Sequence, residues 1–498
     1  MTIWIPRLKA FASRCLLPGS RCRCQTASRK LSMRFDSPPQ PEDLAGRRVA
    51  VVGLAREGRA VTRMLVRDVP GVDIVGIDQN EGEASGEWAK EFGLPVVMCP
   101  DGTGLPDDID VAVMSPGIPP HSALYRAVAG EDVWLTSGTA LFLARHHDRV
   151  IGVTGSKGKS TTSAVVHHVL AAHGLDVAYG GNVGVPLWDL PDATWVVAEI
   201  SSYQARLVAH SPAVSVLTAL FEEHLDWHGD FDTYARDKLN LVAHDPGAVI
   251  VNGTQTRLVE EFTSRFPGLA AEFVSGESSW SVSEDDDGLV ITKDGRVFIS
   301  VGDLTLSGEH NAWNVALALS AASRIHSLDD GVTRQALRTF EPLPHRLQPV
   351  DDPSGVLFVN DSLATNPPAL VACMQAFRDR QLIVMIGGHD RGVDDTVLRD
   401  EIVSHPVAAV IGLPDSGPAW LESIRSWCEQ AGVTVPELRP AADMDEAVSL
   451  ARQLARPGDV VALSPGAPSF GRYRNYEQRA DDFIRAVRNS AGQLGESS

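Results

Sequence analysis

VIGVTGSKGKSTTSAVVHHVL, residues 150–170, decides the reading of this chain. An unbroken apolar run ends in a glycine-rich turn, and Lys159 and Ser160 open a segment with helical spacing. A strand that feeds a helix through glycine leaves the first N–H groups of the helix unpaired, and these suit phosphate oxygens. In that frame Gly155, Ser156, Lys157 and Gly158 form a cradle that runs on into Thr161. Lys159 is the point charge for the β- and γ-phosphates, and Ser160 is a Mg2+ ligand. The strict G-x-x-x-x-G-K-[ST] pattern fails at one place, because Val153 stands where the first glycine belongs. The bland alternative is an ordinary strand-to-helix turn.

Similar Val/Ile-rich runs recur along the chain: RVAVVG (48–53), VDIVGID (72–78), DVAVMS (110–115), WVVAEIS (195–201), AVIVNG (248–253), VLFVND (356–361), LIVMIGG (382–388), AAVIGL (408–413) and VVALSPG (460–466). Continuous rather than alternating apolar runs mark strands buried on both faces, hence parallel sheets covered by helices, with ligands at the C-terminal strand ends. The tract 275–303 is different: its DDDG and KDGR turns predict hairpins. A chain of 498 residues, 44% hydrophobic and 22% charged, is too long for one core, and three α/β domains are expected.

The net charge of −20 excludes nucleic acid as the main partner, and no apolar run reaches the ~20 residues that span a bilayer, so no stable membrane insertion is expected. Residues 1–32 carry seven Lys or Arg, no acid and three of the six cysteines, leaving the rest at −27 (−20 − 7). They read either as a targeting segment or as the product of an upstream start codon, with Met33 opening the working chain. Cys15, Cys22 and Cys24 lack the His or second Cys pair that would complete a metal site. The scattered Cys99, Cys373 and Cys428 fit a reducing, cytoplasmic setting without disulfides.

A nucleotide site alone serves a switch, a kinase or a ligase. Two further groups narrow it: Glu199, at the end of WVVAEIS, and His224, in EEHLDWHG beyond the apolar run VSVLTAL. Both are placed just past buried strands, where an oxygen ligand and one imidazole suit Mg2+. Taken singly, such a His is an ordinary surface or packing residue. The set TGSKGKST, GGNVG (180–184), EISSYQ (199–204), HLDWHG (224–229) with Lys238, GEHNAWN (308–314), LPHR (343–346) and NDSLATN (360–366) resembles the Mur ligase family from about residue 44 to 486.

That resemblance implies ATP-dependent amide synthesis through an acyl phosphate, with two Mg2+ sites. Ser160 would hold one ion, and Glu199 and His224 the other. Lys238 matches a lysine carbamylated by CO2, whose anion steadies the metal site; the bland reading is a solvated helical lysine. Lys159, His224 and Lys238 are the implied catalytic residues, and Asn311, Asn314, Arg346 and Asp361 join the phosphate loop around ATP. The implied division is an extension at 1–43, a Rossmann-like UDP-binding domain at 44–146, a central P-loop domain at 147–343 and a Rossmann-like ligase domain at 344–498, with mostly parallel sheets and a monomeric state.

The N-terminal βαβ pattern, with MSPGIPP (114–120), resembles the uridine-diphosphate domain of the family member that joins glutamate to UDP-N-acetylmuramoyl-L-alanine. Arg56, Glu57, Asp78, Ser115 and Gly117 match positions that grip uracil and diphosphate, and Asn182 and Gln204 those that grip the muramoyl part. Gly138 and Thr139 depart from that pattern, standing where acids are expected. Glutamate falls to Thr365, Arg391, Ser469, Phe470 and Tyr476. Leu363 in NDSLATN stands where D-glutamate-adding ligases have a lysine, so the resemblance favours a variant that adds L-glutamate. The alternatives are a D-glutamate ligase that tolerates the exchange, a folylpolyglutamate synthase, another Mur ligase, or a nucleotide sensor without catalysis. Because residues 1–32 carry none of these motifs, a chain begun at Met33 is expected to ligate like the full chain; an insoluble or inactive short form would contradict this.

Overall fold

The computed structural model describes residues 37–79, 81–106, 108–129, 133–306, 308–341, 345–389, 395–469 and 471–495, and the chain forms three successive α/β units. In the first, β1 (Arg48–Val52), β2 (Asp73–Asp78), β3 (Val96–Met98), β4 (Val111–Met114) and β5 (Trp134–Ser137) make a parallel sheet in the order β3-β2-β1-β4-β5. Val49 to Val52 are buried because helices cover both faces, which is why their run does not alternate. Strand order reverses between β1 and β4, and a crevice opens there. Gly53 turns the chain out of β1 at φ 90°, and a Cβ there would stand 2.6 Å from the Cβ of Ser115. Only glycine allows the two crevice loops to approach so closely.

The second unit holds β6 (Val150–Thr154), β7 (Val177–Gly181), β8 (Trp195–Glu199), β9 (Val214–Leu217), β10 (Ala248–Asn252) and β11 (Glu272–Val274), all parallel, in the order β11-β10-β9-β6-β8-β7. The helices Lys159–Ala172 and Glu309–Ile325 pack on this sheet, and the run from Val315 to Ala322 in the latter is buried. The expected hairpins form an antiparallel meander of β12 (Trp280–Asp285), β13 (Gly288–Lys293) and β14 (Arg296–Ser300). Trp280 ties it to the long helix by donating its indole N–H to Ser323 Oγ at 3.0 Å.

The third unit comprises β15 (Gln348–Val350), β16 (Leu357–Asn360), β17 (Leu382–Ile386), β18 (Ala409–Gly412), β19 (Glu437–Pro440) and β20 (Val460–Leu463), in the order β15-β16-β20-β17-β18-β19, with β15 alone antiparallel. The first two units are joined by Arg63, which donates to both carboxylate oxygens of Asp189, and by Trp188, whose indole N–H donates to Gly138 O at 2.8 Å. Each expected apolar run became a strand. The six strands without such a signature, β3, β5, β7, β11, β15 and β19, are the edges of the three large sheets. Cys99, Cys373 and Cys428 are free and buried, and among the described residues no helix is long and apolar enough to cross a membrane.

Candidate active site

The phosphate loop is built by close approach. Gly158 caps the Lys159–Ala172 helix at φ 85°, and a Cβ on it would lie 2.4 Å from Asn314 Oδ1. Ser156 Oγ meets the Tyr234 hydroxyl at 2.6 Å and accepts the Phe221 N–H at 2.8 Å. The Thr218 hydroxyl donates to Thr154 O and Lys157 O, so the exit of β9 and the helix Phe231–Leu239 hold the loop from beneath. Ser160 and Thr161 are buried in the first turn, where Thr162 donates to Asn314 Oδ1 and Asn314 to Asn311 Oδ1.

Two lysines share this corner. Lys159 donates to Gly155 O at 2.7 Å and to Ser156 O at 3.0 Å. Lys238 donates to the same Gly155 O at 2.9 Å, and its Nζ lies 4.9 Å from the centre of the Tyr234 ring. Burial lowers the pKa of both, and Lys238 is pushed well below the usual lysine range, with the Lys159 charge adding to the effect; Glu223 and Glu199 oppose it. Lys157 pairs with Glu223 at 2.8 Å.

Glu199 ends β8 and is 1% exposed. Its Oε1 accepts from Asn182 Nδ2 at 2.9 Å, while its Oε2 is buried with no hydrogen-bond partner. A buried carboxylate oxygen left open in a polar cleft fits a cation. His224 is less central than expected: it lies beyond a loop that follows β9, caps a short helix at φ 57° and stands exposed beside Tyr203, ring centres 5.0 Å apart. Among the described residues no group of three or more His, Cys, Asp or Glu is gathered for a metal.

Arg346 enters from the third unit, between His345 (φ 65°) and Leu347 (φ 42°), and its charge reaches Lys159, Tyr179 and Asp361. Asp361 accepts from Ser464 Oγ at 2.7 Å and from the Leu347 N–H at 3.2 Å. Burial raises its pKa to about 6 against those two bonds and the Arg346 charge.

The crevice at β1 and β4 is lined by Glu57, Ser115, Gly138, Thr139 and Gln204 among others. Gln204 donates to Glu57 Oε1 at 3.3 Å, and burial raises the Glu57 pKa. Other residues expected at a diphosphate stand elsewhere. Arg56 donates to Asn182 O at 3.0 Å and Gly184 O at 2.9 Å, across the seam between the first two units. Both carboxylate oxygens of Asp78 accept backbone N–H groups, from Leu54 and Gln79, and Gly117 is exposed beyond the crevice lining.

At the third sheet, Ser362 donates its hydroxyl to Tyr476 O, and the Leu363 N–H donates to His345 O. Leu363 is half-buried with Thr365 near it in the loop, and Ser469 is buried. Beneath them Arg479, 1% exposed, donates to Ser362 Oγ, Ser362 O and Ala467 O. Arg391 and Phe470 lie outside the described residues.

Residues 153–322 match the Mur ligase middle domain and residues 345–466 the Mur ligase glutamate ligase domain. A UDP-N-acetylmuramoyl-L-alanine–L-glutamate ligase of Salinispora tropica is 40% identical over 466 residues, which covers 90% of this chain and 99% of the relative. The chain belongs to the Mur ligase family. A relative of the same name from Xanthomonas euvesicatoria is 34% identical over 458 residues, covering 89% of this chain and 95% of its own. Among solved structures, UDP-N-acetylmuramate–alanine ligase of Thermotoga maritima aligns with a TM-score of 0.57 at 18% identity, covering 89% and 99% of the two chains. The MurF ligase of the same organism, in complex with ADP, gives 0.54 at 14%, covering 91% and 99%. At such identities these two show the fold.

As a Mur ligase the chain is an ATP-dependent ligase. The Mur ligase site also contains groups that the sequence reading missed. Glu223 was legible only as the acid before His224, whereas the hydroxyls of Thr218 and Tyr234 and the buried guanidinium of Arg479 carried no local signal. Lys159→Ala, Glu199→Ala and His224→Ala are each expected to cut ligation by ~100-fold or more while leaving the far-UV circular dichroism unchanged, since each removes a charge or ligand from phosphoryl transfer. Turnover like that of the wild type in any of the three would remove that residue from the mechanism.

Proposed function

We propose that this Mur ligase joins L-glutamate to UDP-N-acetylmuramoyl-L-alanine in peptidoglycan precursor synthesis, consuming ATP. The alanine carboxylate attacks the γ-phosphorus of ATP; the new O–P bond forms as the bond to the β-phosphate oxygen breaks, leaving ADP and an acyl phosphate. The glutamate amine then attacks the acyl carbon, and the tetrahedral intermediate loses a proton and expels phosphate. A carboxylate and a triphosphate repel one another, so the first step depends on neutralising both anions in line. Lys159 and the first-turn N–H groups of its helix are placed to do so. Ser160 would hold one Mg2+, and Glu199 with His224 the other; a bound ion supplies charge to the phosphate oxygens. Lys238, whose pKa burial pushes well below the usual lysine range, is suited to take up CO2, and the resulting carbamate would add an anion beside that site. The enzyme acts as a monomer in the cytoplasm.

The observation that carries the choice of glutamate is the corner at Leu363. An incoming amino acid with a second carboxylate needs a cation, and a leucine offers none; leaving a carboxylate there unpaired costs several kcal/mol. The one buried guanidinium described nearby, Arg479, already donates to three neutral oxygens. The carboxylate partner implied by the family resemblance is Arg391, and a guanidinium fork can hold a carboxylate bidentately. Moving the cation from residue 363 to residue 391 reshapes a site that must tell mirror images apart, and the two relatives aligned over 90% and 89% of this chain are named for L-glutamate. Ligation with each pure enantiomer tests this. L-glutamate should be preferred by at least ~10-fold in kcat/KM, and Arg391→Ala should raise the KM for glutamate far more than that for ATP. Preference for D-glutamate would overturn the reading.

A further inference from the structure

Glu199, His224 and Lys238 come from three separate segments, and one side chain outside that set joins all three. His228 closes the short helix Leu225–His228 that His224 caps, and its side chain is fully buried. Its Nε2 meets Ser202 Oγ at 3.0 Å, in the turn that follows Glu199. Its Nδ1 meets Asp237 Oδ2 at 3.0 Å, on the residue before Lys238. Arg206 donates to the same Asp237 oxygen at 2.6 Å. Burial would raise the Asp237 pKa, but the His228 hydrogen bond and the Arg206 charge hold it below the usual carboxylate range. The imidazole thus bridges Ser202 and Asp237 through its two ring nitrogens. The imidazole also stacks on Tyr203, with ring centres 5.4 Å apart and planes at 13°, and meets Tyr234 edge-on at 5.3 Å. Tyr234 in turn underlies Lys238 and bonds the phosphate loop at Ser156.

The order Ser202, His228, Asp237 has the hydrogen-bond sequence of a nucleophilic triad. Here Ser202 is 2% exposed, so no carbonyl reaches its hydroxyl, and the arrangement acts by holding rather than by attacking. We propose that His228 is a positioning residue for ligation: through Ser202 and Asp237 it fixes the His224 segment and the Lys238 helix against the strand end that carries Glu199. The inference rests on the reading of Glu199, His224 and Lys238 as the cation and carbamate site. Partners that orient metal ligands, without touching the metal, commonly control its affinity.

His228→Phe keeps an aromatic plate and removes both hydrogen bonds, His228→Asn offers an amide nitrogen near the place of Nδ1, and Ser202→Ala removes one bond. Ligation rates across a Mg2+ titration, and calorimetric binding of ADP with and without Mg2+, test the three. His228→Phe should lower kcat by ~10-fold or more and raise the Mg2+ concentration for half-maximal rate by a similar factor. The KM for UDP-N-acetylmuramoyl-L-alanine should stay within about twofold, ADP alone should bind as in the wild type, and the tightening that Mg2+ brings should be lost. His228→Asn should recover part of the loss. A wild-type kcat and Mg2+ response in His228→Phe would overturn the proposal, as would equal weakening of every substrate and of ADP alone. Should His228→Phe fail to fold, Ser202→Ala decides, and a wild-type Mg2+ response there overturns it. If Lys238→Ala ligates normally, the site reading falls and the inference with it; an inactive Lys238→Ala beside a normal His228→Phe removes the inference alone.

Discussion

One carbonyl oxygen, that of Gly155, accepts from two buried lysines, Lys159 at 2.7 Å and Lys238 at 2.9 Å. Two ammonium ions on one oxygen, away from water, repel strongly, and the repulsion is relieved when one gives up its proton. Burial lowers the pKa of both lysines, and at Lys238, pushed well below the usual lysine range, the Lys159 charge adds to it. The consequence is a division of labour. On the proposed reading Lys159 serves phosphate and Lys238, with the more strongly lowered pKa, is the lysine suited to react with CO2. Glu199 and Glu223 oppose this lowering at both lysines.

The other two units bear on this corner through single residues. Arg56, the first residue of the helix Arg56–Asp68 in the N-terminal unit, donates to Asn182 O, and the Asn182 side chain donates to Glu199. Two hydrogen bonds thus link the start of the first unit's helix after β1 to the Glu199 carboxylate. From the other side, Arg346 is delivered between two left-handed residues, and the turn that carries it is bonded to Asp361 and to Leu363. In NDSLATN, Asp361 and Ser362 hold the loop, through Leu347, Ser464, Tyr476 and Arg479.

What the sequence showed and what it hid follow from the same physics. Interior strands are covered on both faces and read as unbroken apolar runs, so β1, β4, β6, β8 and β20 stood out, whereas QPV, ELRP and EFV at the sheet edges have one neighbour and did not. The phosphate loop was legible because glycine positions are dictated by backbone approach, as the contacts of Gly158 and Gly53 show. Arg56 matched a position at the diphosphate by resemblance; its bonds to carbonyls of the second unit depend on domain packing, to which sequence pattern is blind. Thr218, Tyr234, His228 and Arg479 act by hydrogen bonds to residues distant in sequence, and no local spacing announces such bonds.

The central claim, that the shared carbonyl leaves Lys238 as a neutral amine that takes up CO2, is tested most directly by carbon-13 NMR of the protein equilibrated with labelled bicarbonate. The account predicts a carbamate resonance in the wild-type protein that disappears in Lys238→Arg and weakens in Lys159→Ala, where the opposing charge is gone. No such resonance in the wild type, or one that persists in Lys238→Arg, would contradict it.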